Sequence, residues 1–65
     1  MDRQTFHLTS QDLIEVFKKL TEEGLLSEVS FKSIMPVQYY GEDLIKVIAS
    51  GHPGAEAVFR EVLDK

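Results

Sequence analysis

The apolar residues of this chain recur at the three- and four-residue spacing of amphipathic helices, and strict alternation of apolar and polar residues is absent. The pattern is clearest in residues 10–23. The apolar side of that segment contains Leu13, Phe17 and Leu20. Thr9 or Ser10 can cap the first turn, and Gly24 occupies the position at which a helix commonly ends. The sequence therefore predicts a helix over residues 10–23.

The rest of the chain predicts further helices separated by glycine and proline. Ser27 can cap a short helix that ends before Pro36, since proline cannot supply the next backbone donor. A third helix is expected to open at Gly41 or at the tyrosine before it and to end at Gly51. Pro53 suits the first position of a last helix, and the first eight residues could add a short helical turn.

The length of 65 residues limits the chain to one domain, residues 1–65. A domain this small buries only roughly 60% of its unfolded surface, so a partner surface would add stability. The chain has no cysteine, which excludes a disulfide framework and a cysteine nucleophile. With the short connections, the helical pattern predicts an all-α fold: a compact bundle of four to five short helices.

The charge pattern indicates which partners to expect. Seven basic residues are scattered among eleven acidic ones, and the formal net charge is −4. This balance counts against DNA, RNA and anionic membranes, because binding to them depends largely on positive charge. No apolar run is long enough to span a bilayer, and the N-terminus lacks the apolar core of a secretory signal. We therefore expect a cytoplasmic protein whose partner is another protein.

No residue pattern indicates catalysis. His7 and His52 lie in different segments, and neither has a second ligand at zinc spacing. No serine stands in a nucleophile-elbow motif, and no glycine-rich phosphate loop is present. Three glutamates around the turn at residue 24 invite comparison with a calcium loop, but Ser30 stands where a bidentate glutamate is needed. We expect no enzyme activity, no cofactor and no metal.

Two runs of residues follow an order that is found in a known family. They are Leu13-x-x-Val16-Phe17-x-x-Leu20-x-x-x-Gly24-Leu25-Leu26-Ser27-Glu28 and Gly41-x-x-Leu44-Ile45-x-x-Ile48, the second followed by Phe59. This order resembles helices two to five of a caspase-recruitment (CARD) domain, a branch of the death-fold superfamily. The resemblance covers about residues 9–64. It implies a death-fold-like helical bundle that acts as an adaptor or regulatory module.

The resemblance also implies a mode of binding, because such domains pair an acidic surface on one copy with a basic surface on another. The acidic positions that match are Asp12, Glu15, Glu22, Glu23 and Glu28. Lys46 and Arg3 are the candidates for the weaker basic side. We therefore expect a partner helical domain with a basic surface, for example another CARD-like domain.

Two alternatives remain open at this point. Residues 10–23 and 27–35 have the arrangement of a helix-turn-helix, so a small DNA-binding regulator is the first alternative. The second is a stand-alone helical domain that dimerises through Val37, Tyr39 and Tyr40, since an exposed apolar patch often marks an interface. The sequence does not decide the oligomeric state.

Overall fold

The computed structural model describes residues 2–64, which form a three-stranded antiparallel sheet and two helices. The elements, in chain order, are β1 (Gln4–Leu8), α1 (Ser10–Glu22), a short 3-10 helix (Leu26–Glu28), β2 (Val29–Tyr39), β3 (Glu42–Gly51) and α2 (Pro53–Leu63). The prediction of an all-α bundle of four to five helices is therefore wrong. The protein is a mixed α/β fold, and the helical-bundle, death-fold and CARD-like descriptions are corrected with it.

The sequence of β2 and β3 predicts helices because parts of its apolar pattern fit both the helix period and the strand period. Leu44 and Ile48 are four residues apart, which places them on one side of a helix and equally on one face of a strand. Phe31 and Ile34 are three residues apart, a spacing that ordinarily places two strand residues on opposite faces of a sheet. Here the pairing of β2 with β3 shifts by one residue after Phe31, so that both face the same side of the sheet.

The same correction removes the helix-turn-helix arrangement. Its second helix was expected over residues 27–35, where the structure has a 3-10 helix followed by the first half of β2. A helix-turn-helix reads DNA by placing its second helix in the major groove. The segment that would do so here is an extended strand of the sheet.

The two helices that the sequence predicted most directly are confirmed. The hydroxyl oxygen of Thr9 accepts a hydrogen bond from the Asp12 backbone N–H at 3.0 Å, which caps α1. Gly24 follows α1 with φ +68, a left-handed conformation that glycine adopts without steric cost. Pro53 opens α2, and Nδ1 of His52 accepts from the Gly54 backbone N–H at 2.9 Å.

The sheet has the strand order β1-β3-β2, so β3 is the central strand. β1 pairs with β3 over its full length, with Phe6 opposite Val47. β2 and β3 form a hairpin joined by Tyr40 and Gly41, whose φ angles are +52 and +79. Two central residues with positive φ characterise the type I′ turn, whose twist suits a two-residue hairpin.

Both helices pack on one face of the sheet. The ring of Phe59 in α2 stacks on Phe6 of β1 at 4.4 Å, and Phe17 in α1 contacts Phe31 of β2 at 5.2 Å. The helices therefore lie side by side, α2 towards β1 and α1 towards β2. The fully enclosed core between the layers consists of Phe6, Leu8, Val16, Leu20, Val47, Ala49, Ala55, Val58, Phe59 and Val62.

The β2–β3 hairpin is longer than β1. β1 reaches only from Ala49 to Ile45 along β3, so the end of the hairpin around residues 42–44 has a neighbour on one side alone. The molecule is correspondingly elongated, with extents of 34 × 21 × 16 Å. Neither helix found within residues 2–64 has the length and apolar character needed to cross a membrane.

Candidate interaction surfaces

One face of the sheet carries no helix, and alternation along the strands identifies its residues. Phe6, Val47 and Ala49 are buried beneath the helices, so their immediate neighbours in sequence point the other way. The register of β2 then assigns the matching residues of that strand. We call this surface the open face. It consists of Thr5, His7, Ser30, Ser33, Met35, Val37, Tyr39, Glu42, Leu44, Lys46, Ile48 and Ser50.

The middle of the open face is apolar. Leu44 and Ile48 of β3 lie beside Val37 and Met35 of β2, and Tyr39 extends the row towards the hairpin end. Met35 is 45% exposed and Tyr39 is 44% exposed, although both belong to a regular strand. Scattered surface apolar residues are common in proteins, but a contiguous set such as this one often marks a contact surface.

Lys46 is the charged residue at the centre of the open face. It lies between His7 of β1 and Met35 of β2, and it is half-buried. None of the ion pairs formed within residues 2–64 involves its ammonium group. Glu42, the carboxylate on the same side of β3, is four residues away, about 13 Å along an extended strand. The middle of the open face is therefore apolar, with Lys46 at its centre and no ion pair to its ammonium group among the described residues.

Aromatic rings contact one another at the hairpin end of the open face. The imidazole of His7 stacks on Tyr39 with 4.4 Å between ring centroids, although β3 lies between their two strands. Tyr39 also meets the ring of Tyr40 edge-on at 4.6 Å. Of the patch predicted from the sequence, Val37 and Tyr39 lie on the open face, whereas Tyr40 is in the turn.

The acidic residues predicted to bind a partner lie on the helical side of the molecule. Asp12, Glu15 and Glu22 belong to α1, Glu23 caps its C-terminal end and Glu28 ends the 3-10 helix. Ten residues separate Asp12 from Glu22, which is about 15 Å along a helix. The structure thus distributes these carboxylates along one side of the molecule. It places Lys46 on the opposite face of the sheet, apart from all of them.

The outer side of α1 carries charges of both signs. A shallow depression of about 320 Å³ is lined there by Gln11, Ile14, Glu15, Lys18, Lys19 and Glu22. The ammonium group of Lys19 reaches Glu61 of α2 at 2.7 Å. The hydrogen bond to Glu61, with the attraction of Glu61, Glu15 and Glu22, raises the pKa of Lys19. The two lysines therefore offset much of the negative charge that the sequence assigned to this surface.

Comparison with known proteins gives no indication of a function, so a function has to be inferred from the geometry. No protein-family model, curated protein or solved structure matches the chain. Nothing in these comparisons indicates a CARD or death-fold domain.

The part of the chain that the structure describes contains no group of three histidine, aspartate or glutamate side chains placed to hold a metal ion. His52 caps α2 and His7 stacks on Tyr39, so each histidine has a structural contact.

The open face is not apparent from the sequence, because the apolar spacing within β2 and β3 also fits helices. One signal could have revealed the hairpin: Gly41 stands between two apolar runs, and glycine readily adopts the positive φ that a two-residue turn requires. The run from Val29 to Tyr39 is also rich in β-branched and aromatic residues.

Proposed function

We propose that this protein is a protein–protein interaction module that binds its partner through the open face. The observation that supports the proposal is the apolar row of β2 and β3 with Lys46 at its centre, which forms no ion pair with another residue of the described range 2–64. The complementary partner is a different protein that presents an apolar surface with a carboxylate for Lys46. Such a charge contributes more to the choice of partner and the association rate than to affinity.

A second copy of the chain suits this face less well. Isologous association brings a surface against itself, and a two-fold axis through the middle of the open face would oppose two Lys46 side chains. Like charges brought together in a partly desolvated contact are unfavourable. We therefore propose a partner of different sequence.

We also propose that the protein is located in the cytoplasm, which agrees with the absence of cysteine.

The acidic surface predicted from the sequence remains a second candidate. Glu15 and Glu22 line the depression on α1 beside Ile14, which is 62% exposed. A basic partner with an apolar side chain could bind there. Because Lys18 and Lys19 lie among these acids, the open face has the clearer combination: an apolar row with one lysine at its centre.

The test uses short peptides, because no partner is needed in advance. A displayed library of random 12-residue peptides (a length of about 40 Å when extended) is selected on the immobilised protein. Enriched peptides are then measured by fluorescence anisotropy. We expect apolar peptides with at least one aspartate or glutamate. Lys46→Glu should weaken them by about tenfold or more, whereas Lys18→Glu, the same charge change on α1, should change affinity by less than about twofold.

A second pair of variants tests the apolar row. Met35→Ser on the open face should weaken the peptides, and Ile14→Ser on α1, whose side chain is 62% exposed against 45% for Met35, should not. Peptides that survive both open-face substitutions would contradict the proposal. If they were instead lost in the Glu22→Lys, Glu23→Lys double variant, the acidic surface of α1 would be the binding site.

A further inference from the structure

The two edges of the sheet differ in how well they are protected. At the β2 edge the pairing with β3 is interrupted between Phe31 and Ser33, where Lys32 occupies the bulge. Pro36 follows in the same strand and offers no backbone N–H. A bulge, a lysine and a proline are the features with which proteins prevent another strand from pairing with an edge. The β2 edge is therefore blunted.

The β1 edge has none of these features. All five residues from Gln4 to Leu8 pair with β3 in one continuous register, without a bulge. The strand contains neither proline nor lysine. Among the described residues, no strand pairs with the outer side of β1. This side presents unpaired backbone donors and acceptors in a regular row, which is the arrangement to which an extended peptide adds.

Helix α2 lies above this edge. Its Phe59 stacks on Phe6, so α2 lies over the β1 side of the sheet. Glu61 points towards α1, where it meets Lys19. Leu63 is two residues further on, about 200° around the helix, and therefore lies on the side away from α1. It is 38% exposed. A strand beside β1 would bring its helix-side residues to Leu63.

We propose that the outer edge of β1 binds an extended segment of another polypeptide by β-strand addition. Side chains of the segment that face α2 are apolar and pack on Leu63. Those on the other face include carboxylates, because Arg3 stands at the start of this edge and no acidic residue lies between residues 3 and 9. This site is separate from the apolar row of β2 and β3, so the inference does not rest on the proposed function.

The geometry favours a single segment over a second copy of the chain. Adjacent strands are about 4.8 Å apart, whereas packed helices need about 8 to 10 Å. Two copies joined through β1 would place their α2 helices above neighbouring strands, where they cannot both fit. A five-residue strand is also only about 17 Å long, too short to approach the roughly 800 Å² per partner of a stable interface by itself. An incoming peptide carries no helix and avoids this conflict.

The experiment uses the wild-type protein and a nine-residue peptide that alternates valine and glutamate. We expect ¹⁵N-labelled protein to show slower amide hydrogen exchange in β1 when the peptide is present. A scrambled peptide of the same composition should have no such effect. N-methylation of alternate peptide residues removes the backbone donors on one side, so one of the two methylated registers should bind about tenfold or more weakly and the other should bind normally.

Two protein variants separate this site from the open face. Leu63→Lys should weaken the alternating peptide and leave the library-selected peptides unchanged, and Met35→Ser should do the reverse. The inference is overturned if the alternating and scrambled peptides bind equally, if both N-methylated registers bind equally, or if the protected amides belong to β2. A dimer formed through β1 by the free protein, detected by sedimentation, would overturn it as well.

Discussion

Of the four glycines, Gly51 tolerates an added side chain least. Its φ is +139, a conformation that other residues rarely adopt, and a Cβ there would overlap the carbonyl oxygen of Glu28. That oxygen already accepts a hydrogen bond from the His52 N–H at 3.0 Å, so it is held in place. Gly51 thus allows the end of β3 to pass close to the start of β2 just before α2 begins.

The change Gly51→Ala should lower the free energy of unfolding substantially. We expect a loss of more than about 2 kcal/mol, because backbone strain and a backbone overlap add. Gly24→Ala is the matched control: its φ of +68 is also left-handed, but the space around it is open, so we expect about 1 to 2 kcal/mol. Urea denaturation of both variants checks the difference, and equal losses would contradict the role assigned to Glu28.

A substitution in the hairpin turn should instead raise the free energy of unfolding. Tyr40 has φ +52 and is 92% exposed, so it occupies a left-handed position without burial in return. Tyr40→Asn places at this position a residue that type I′ turns prefer. We expect a gain of roughly 0.5 to 1 kcal/mol in the free energy of unfolding. Thermal denaturation measures it, and a loss would show that the edge-on contact with Tyr39 outweighs the turn preference.

At the scale of elements, the two helices are joined across their outer sides by the ion pair of Lys19 and Glu61. The pair has 27% and 63% side-chain exposure, so water screens it and its contribution to stability is modest. It does have a pH signature. A lysine whose pKa is raised in the folded state contributes stability below the ordinary value of 10.5, and this stability is lost as pH rises through the folded value.

Removing the carboxylate of Glu61 should therefore abolish the part of the loss of stability at alkaline pH that comes from this ion pair. We expect wild type to exceed Glu61→Gln in free energy of unfolding at pH 8, with the difference shrinking as pH rises beyond 10.5. Glu56→Gln is the control, because it removes an ion pair of Arg60 at 3.4 Å and a guanidinium does not titrate in this range. A difference for Glu61→Gln that is independent of pH would contradict the assignment.

At the scale of the whole molecule, the single core depends on one aromatic side chain. Phe59 is fully buried and its ring lies near both Phe6 of β1 and Phe31 of β2, so it connects the two outer strands beneath the helices. The stability of a 65-residue domain is roughly 3 to 10 kcal/mol. A single large cavity can therefore unfold much of the population.

Phe59→Ala should cost about 3 to 5 kcal/mol and leave a substantial unfolded fraction in water. Phe59→Leu, which keeps most of the volume, should cost about 1 to 2 kcal/mol and remain folded. Circular dichroism combined with urea denaturation distinguishes the two. If the alanine variant unfolded with the same midpoint as the leucine variant, Phe59 would not hold the layers together.

Local signals were sufficient for some of this architecture. The helix α1 could be predicted because its cap at Thr9, its apolar spacing and Gly24 are all near one another in sequence. The start of α2 at Pro53 was predictable for the same reason. The apolar patch at Val37 and Tyr39 was also visible, although its sheet context was not. These features depend on residues within one or two turns of each other, and the structure retains them.

The sequence by itself thus determined the two helices, the net charge of −4 and the absence of cysteine chemistry. Tertiary structure decided that residues 29–51 form a hairpin, because a spacing of four residues suits a helix and a strand alike and long-range pairing makes the choice. It also decided which side of each strand is covered. The open face exists because both helices pack on one face of the sheet, and β1 is an edge strand because the described strands pair in the order β1-β3-β2. No local stretch of sequence encodes either result.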